Sequence, residues 1–79
     1  MKAKVYVTLK QGVLDPQGQA VARALGRLGF SEVKDARIGK YIEVQLADDV
    51  NDIEGHLKQM CEKLLANTVI EEYRYEIVK

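Results

Sequence analysis

This sequence is short of the residues on which most enzymes and metal proteins depend. It has one cysteine, one histidine, one proline and no tryptophan. A lone Cys61 excludes an intrachain disulfide, and together with His56 it leaves no ligand set for zinc. No apolar run approaches the roughly 20 residues that cross a bilayer. Lys2 and Lys4 lead into an alternating pattern rather than the apolar stretch of a signal peptide. Twelve basic and twelve acidic side chains cancel to a formal charge of zero. No cluster of Lys and Arg offers the phosphate neutralisation that nucleic-acid binding requires. Neither a membrane nor a nucleic acid is therefore expected as a partner, and a reducing, cytoplasmic setting is. At 79 residues the chain is expected to form one domain, residues 1–79, near the lower size limit for folding without covalent or metal staples.

What the chain does have is periodicity. Residues 2–10 alternate, with Val5, Val7 and Leu9 on one side and Lys4, Tyr6, Thr8 and Lys10 on the other, the signature of a strand with one buried face. A turn at Gly12 leads to Asp15-Pro16. Asp is a good N-cap because its carboxylate accepts a backbone N–H, and Pro suits the first helical position, where no donor is needed. Ala20, Val21, Ala24, Leu25 and Leu28 then recur at helical spacing until Gly29. Gly18 and Gly26 lie inside this helix at up to about 1 kcal/mol each relative to Ala, a cost that fits close backbone approach and a tolerated defect equally.

Residues 32–38 and 41–47 read as two strands around Gly39-Lys40, a pair suited to a two-residue hairpin turn. Ile42, Val44 and Leu46 make the buried face of the second. Val33 and the pair Ala36/Ile38 fall on opposite parities in the first, which predicts a bulge or an early start. Asn51 and Glu54 resemble a capping box. The apolar stripe Ile53, Leu57, Met60, Cys61, Leu64, Leu65 follows, ending at Asn67 as a left-handed C′ residue. A last strand, about 69–78, carries Tyr73, Tyr75 and Ile77 on one parity and Glu72, Arg74 and Glu76 on the other.

The order β-α-β-β-α-β predicts an α+β, two-layer, ferredoxin-like sandwich with both helices on one face of an antiparallel sheet. Its other face would carry Tyr6, Thr8, Tyr41, Glu43 and Gln45. That set is too polar for a core and too aromatic for a plain solvated surface, so self-association through this face or a sheet edge is expected.

Catalytic chemistry is hard to place on such a chain. His56 has no nucleophile or orienting partner beside it, and Cys61 on the apolar stripe reads as a small hydrophobe. The turn from Gly12 to Gly18 lacks a phosphate-loop motif, Pro16 removes a donor, and Asp15 puts negative charge where an anion would sit. The alternating charges from Glu71 to Glu76 suit an interface rim or a solvated face. The tyrosines lack the basic surround of an RNA-recognition surface.

The segment Leu9-Lys10-Gln11-Gly12-Val13-Leu14-Asp15-Pro16-Gln17-Gly18-Gln19-Ala20 is the most specific in the chain. Taken with Val5 to Lys10, Ala24-Leu25, Leu28-Gly29-Phe30, Val33, Arg37, Gly39-Lys40, Glu43, Met60 to Asn67 and Val69-Ile70-Glu71, it resembles the PurS family, small subunits of multi-subunit phosphoribosylformylglycinamidine synthase. Thr68 departs from the proline common after the asparagine. The resemblance implies a non-catalytic subunit in de novo purine synthesis that binds no cofactor itself. Its implied partners are a second copy (a dimer or a dimer of dimers), a large synthetase subunit that uses ATP and Mg, and a glutaminase subunit. Lys10, Gly12, Asp15, Pro16, Gly18, Arg37, Gly39, Lys40 and Glu43 are the expected interface or turn-forming positions. The alternative from the residues alone is a dimeric ferredoxin-like module that senses a small molecule near Gly12.

Overall fold

The computed structural model describes residues 1–79. Three strands, β1 (Lys2–Leu9), β2 (Gly39–Gln45) and β3 (Glu71–Val78), form an antiparallel sheet in the order β2-β1-β3. Between them lie helices α1 (Pro16–Arg27) and α2 (Ile53–Met60). α2 runs on into one π-helical turn, Cys61–Leu65, in which the Ala66 N–H donates to the Cys61 carbonyl at 2.9 Å. This is the α+β class expected, consistent with a ferredoxin-like sandwich.

The alternation of β1 dictates the core. Ala3, Val5 and Val7 point to one face and are buried there with Leu57, Cys61 and Ala66. On either side Ile42 and Val44 of β2, then Leu46, and Tyr73, Tyr75 and Ile77 of β3 pack half-buried against them. The Tyr73 hydroxyl donates to Glu62 Oε2 at 2.9 Å, which ties the helical layer to the β3 side. The layer is thus centred on β1, and the inward residues of both flanking strands are half-buried.

α1 stands apart from this body. Its start is capped by Asp15, whose carboxylate accepts the Gly18 N–H. Its end is a Schellman motif: Gly29 at φ +105° lets the Gly29 and Phe30 N–H groups reach the carbonyls of Gly26 and Leu25. None of its side chains joins the core cluster. The chain measures 50 × 26 × 14 Å. An eight-residue strand and a 12-residue helix laid end to end account for about 45 Å of that length, so α1 continues beyond the sheet as an arm.

Four expectations are corrected. Residues 32–38 form no strand. This segment is held instead along the start of α1, with the Ile38 N–H on Asp15 and the Ala36 carbonyl against Gly18. Gly39 is not in a hairpin turn: it opens β2 opposite Thr8, where an added Cβ would strike the Val7 carbonyl. The cap of α2 is Asp52 rather than Asn51. Asp52 takes a left-handed conformation at φ +53° and accepts the Gly55 N–H at 3.3 Å. Asn67 is not left-handed. It builds the turn by hydrogen bonding, its carbonyl accepting the Ile70 and Glu71 N–H groups while Glu71 Oε1 accepts the Asn67 N–H at 2.7 Å. That reciprocal pair fixes the turn without the family's proline at position 68.

Candidate functional site

The residues singled out from the sequence fall in two places. The first is the joint between arm and sheet. Asp15 is its centre: one carboxylate oxygen accepts the Gly18 N–H at 2.9 Å and the other accepts the Ile38 N–H at 3.0 Å. A single side chain therefore caps α1 and fastens the chain just ahead of β2. Gly18 is buried because the Ala36 carbonyl occupies the space its side chain would fill. Pro16 supplies the helical φ without a donor, and Gly12 at φ +86° turns the chain out of β1. Lys10 continues the sheet for one bond, its N–H donating to the Ile70 carbonyl at 2.9 Å. Lys40 reaches Glu71 Oε2 at 3.6 Å across the inner face of the sheet.

Asp15, Pro16, Gly39, Lys40 and Glu71 line a cleft of about 260 Å³ with Val7, Leu9, Gln17 and Ile38. Ligand pockets usually run from about 300 to 1,000 Å³, and at the start of α1 the Asp15 carboxylate already takes the Gly18 N–H. The cleft suits a structural joint better than a metabolite site. No group of three His, Cys, Asp or Glu side chains converges anywhere to hold a metal.

Those two N–H donors, with Arg37 nearby, hold the Asp15 carboxyl below its ordinary value. A carboxylate lowered in this way contributes stability above its ordinary pKa and loses it as pH falls through the folded-state value. Asp15→Asn, which cannot ionise, is expected to flatten the acid-side loss of Tm between about pH 5 and pH 2. Calorimetry of both proteins checks this, and parallel curves would contradict it.

The second place is the open face of the sheet. Register sets Tyr41, Tyr6 and Arg74 in one row across β2, β1 and β3, and Glu43, Lys4 and Glu76 in the next. Tyr6 and Tyr41 sit 5.2 Å apart between ring centroids, and the Arg74 guanidinium lies 4.0 Å over the Tyr6 ring. The Tyr41 hydroxyl donates to Glu43 Oε2 at 2.6 Å, which pushes the tyrosine pKa up to about 12 and lowers that of Glu43. Lys2 approaches Glu43 at 3.6 Å. Both signs of charge and two rings make a surface that can pair with another protein through hydrogen bonds, stacking and ion pairs.

Arg74 in this stack, and Lys40 with Glu71, are combinations the sequence reading did not make. Parity had placed Tyr6 and Arg74 on outward positions, but only the register joins them. Cys61 is buried, which raises its thiol pKa, and His56 is exposed.

A family profile described as PurS, phosphoribosylformylglycinamidine (FGAM) synthase, matches residues 2–79. The chain belongs to the PurS family. Among curated PurS-family proteins, the phosphoribosylformylglycinamidine synthase subunit PurS of Bacillus subtilis is 58% identical over 76 residues, covering 96% of this chain and 90% of that one. A solved structure of B. subtilis PurS superposes with a TM-score of 0.89 at 56% identity, covering 99% of this chain and 98% of the other. A chain in the structure of PurLQS from Thermotoga maritima does so at 0.78 with 32% identity, covering 98% and 95%. The elongated PurS fold, arm included, is therefore shared with solved structures across nearly the whole chain.

Proposed function

We propose that this chain is the small, non-catalytic subunit of phosphoribosylformylglycinamidine synthase. That ligase converts formylglycinamide ribonucleotide to formylglycinamidine ribonucleotide in purine biosynthesis, drawing on ATP and the amide nitrogen of glutamine. The observation that carries the reading is the end-to-end family match, joined to a PurS-like chain in the PurLQS structure. In this reading a large synthetase subunit uses ATP and Mg, a glutaminase subunit releases ammonia, and this chain holds the two in register in the cytoplasm. It works there as a dimer or a dimer of dimers.

The chemistry of the surface supports such a role. Asp15, Tyr41, Glu43 and Glu71 spend their polar atoms on internal contacts, and what remains outward is contact surface. Positioning is the physical contribution: ammonia must meet an activated intermediate before it is protonated or lost, and fixed spacing raises its effective concentration. The joint residues Lys10 to Gly18, Arg37, Gly39 and Lys40 are assigned to setting the arm, and Glu43 to the contact face.

Purified synthetase and glutaminase subunits, mixed with and without this chain, test the proposal. Glutamine-dependent product is expected to fall by about tenfold or more when the chain is omitted. Equal product in both mixtures would refute it.

A further inference from the structure

We propose that Asp15 is a positioning residue for the transfer of ammonia between the two catalytic subunits. The carboxylate oxygen that holds Ile38 sets the direction of the arm, and transfer depends on that direction. The proposal rests on the subunit reading above.

The direction of the arm hangs on very little. Between residues 11–30 and residues 34–79 there is one hydrogen bond, from the Ile38 N–H to Asp15 Oδ2 at 3.0 Å, and no ion pair. The other fastening sets the Ala36 carbonyl against Gly18, a contact in which that oxygen accepts no hydrogen bond. No side chain of α1 joins the core cluster.

The two oxygens of Asp15 have separable roles. Oδ1 accepts the Gly18 N–H at 2.9 Å and caps the helix. A cap needs one acceptor, which Asn or Ser supplies as well as Asp. Oδ2 is not needed for the cap and bonds to a residue 23 positions along the chain. Leverage gives that second bond its reach. The 12-residue helix is about 18 Å long, so a swing of about 20° at its start carries its far end about 6 Å. A misplacement of about 1 Å transmitted from far off can lower a rate about 100-fold. A chain whose contribution is geometric is therefore most sensitive where one bond sets its geometry.

Asp15→Asn and Asp15→Ser keep the cap and remove the second acceptor. In the Asn variant the side-chain amide donates where Oδ2 accepted, so two donors face each other at Ile38. Each variant is assembled with the synthetase and glutaminase subunits at an excess that saturates the complex, and glutamine consumed and product formed are both counted. Product from glutamine is expected to fall about tenfold, while product from an ammonium salt stays within about twofold. Glutamine consumed per product should rise to match. Asp52→Asn makes the same change at the cap of α2, where one acceptor bond is made, and should behave as wild type. Wild-type coupling in both Asp15 variants overturns the proposal. So does an equal fall with either nitrogen source, which marks a weakened assembly.

A measurement on the chain alone separates failure of this proposal from failure of the subunit reading. Spin labels at Arg27→Cys and Lys58→Cys, on the far end of the arm and on α2, are placed in one chain and diluted into unlabelled chain. Their distance distribution is expected to broaden by about 6 Å when Asp15→Asn is added. Broadening without uncoupling would refute the part of Asp15 in transfer, and an unchanged distribution would refute its hold on the arm as well. Equal product from glutamine with and without the wild-type chain would refute the subunit reading itself, whatever the arm does.

Discussion

Leu57→Ala is expected to destabilise the isolated chain by about 2–5 kcal/mol. Leu57 is wholly inaccessible to solvent and is the largest side chain of a six-residue buried cluster. Its removal leaves a cavity between α2 and the sheet that a backbone anchored by two ladders of β1 cannot close. A chain of this size has on the order of 4–12 kcal/mol in hand, so the variant loses about a sixth of its stability at the least and most or all of it at the upper end. Urea titration checks it, with the midpoint falling at nearly constant slope. Leu64→Ala is the control: that side chain is 82% exposed, and the change should stay within about 0.5 kcal/mol. A Leu57→Ala protein as stable as the control would mean that the core lies elsewhere.

Gly18→Val is expected to disconnect the arm. A Cβ there would run into the Ala36 carbonyl, which is backbone, and into the Asp15 carboxylate at 2.7 Å. Neither can yield without opening the clamp that joins the start of α1 to the chain ahead of β2. Overpacking of this kind costs about 1–3 kcal/mol, and the β-branched side chain adds a small loss of helix propensity. The sheet and α2 lie outside the joint, so the loss should fall on the arm. Amide hydrogen exchange is expected to speed up across 15–38 and to stay near wild type in β1 and β3. Uniform acceleration across the chain, or none, would contradict the assignment of Gly18 as the joint.

Much of this was legible from residue order because it is local. Alternation in β1 named its buried face correctly, Asp15-Pro16 named the helix start, and Gly29 named its stop. Gly18 was singled out for its helix cost, and the structure supplies the close carbonyl that explains it. Gly26 was singled out on the same ground and meets nothing within 4 Å, so propensity alone could not separate the two. The strand expected at 32–38 failed for a non-local reason: the Ile38 N–H is taken by Asp15 and the Ala36 carbonyl packs on Gly18, which draws this segment to the start of α1 instead of back along β2. The Asn51 cap missed by one residue because Asp52 and Asn51 offer the same chemistry and only the backbone turn decides between them. At the joint, the participants were named from the sequence but not their meeting, since the bond from Ile38 to Asp15 spans 23 positions.

The strand order has a consequence for how the protein is made. β1, at the front of the chain, sits in the middle of the sheet, and one of its neighbours is β3, so that Leu9 faces Glu71 and Lys2 faces Val78. Pairings of such long sequence separation are slow to form. A nascent chain on the ribosome can zip β1 to β2, but Val5 and Val7 keep one flank open until β3 has left the exit tunnel. Until then the chain must wait with its most apolar strand half-clothed.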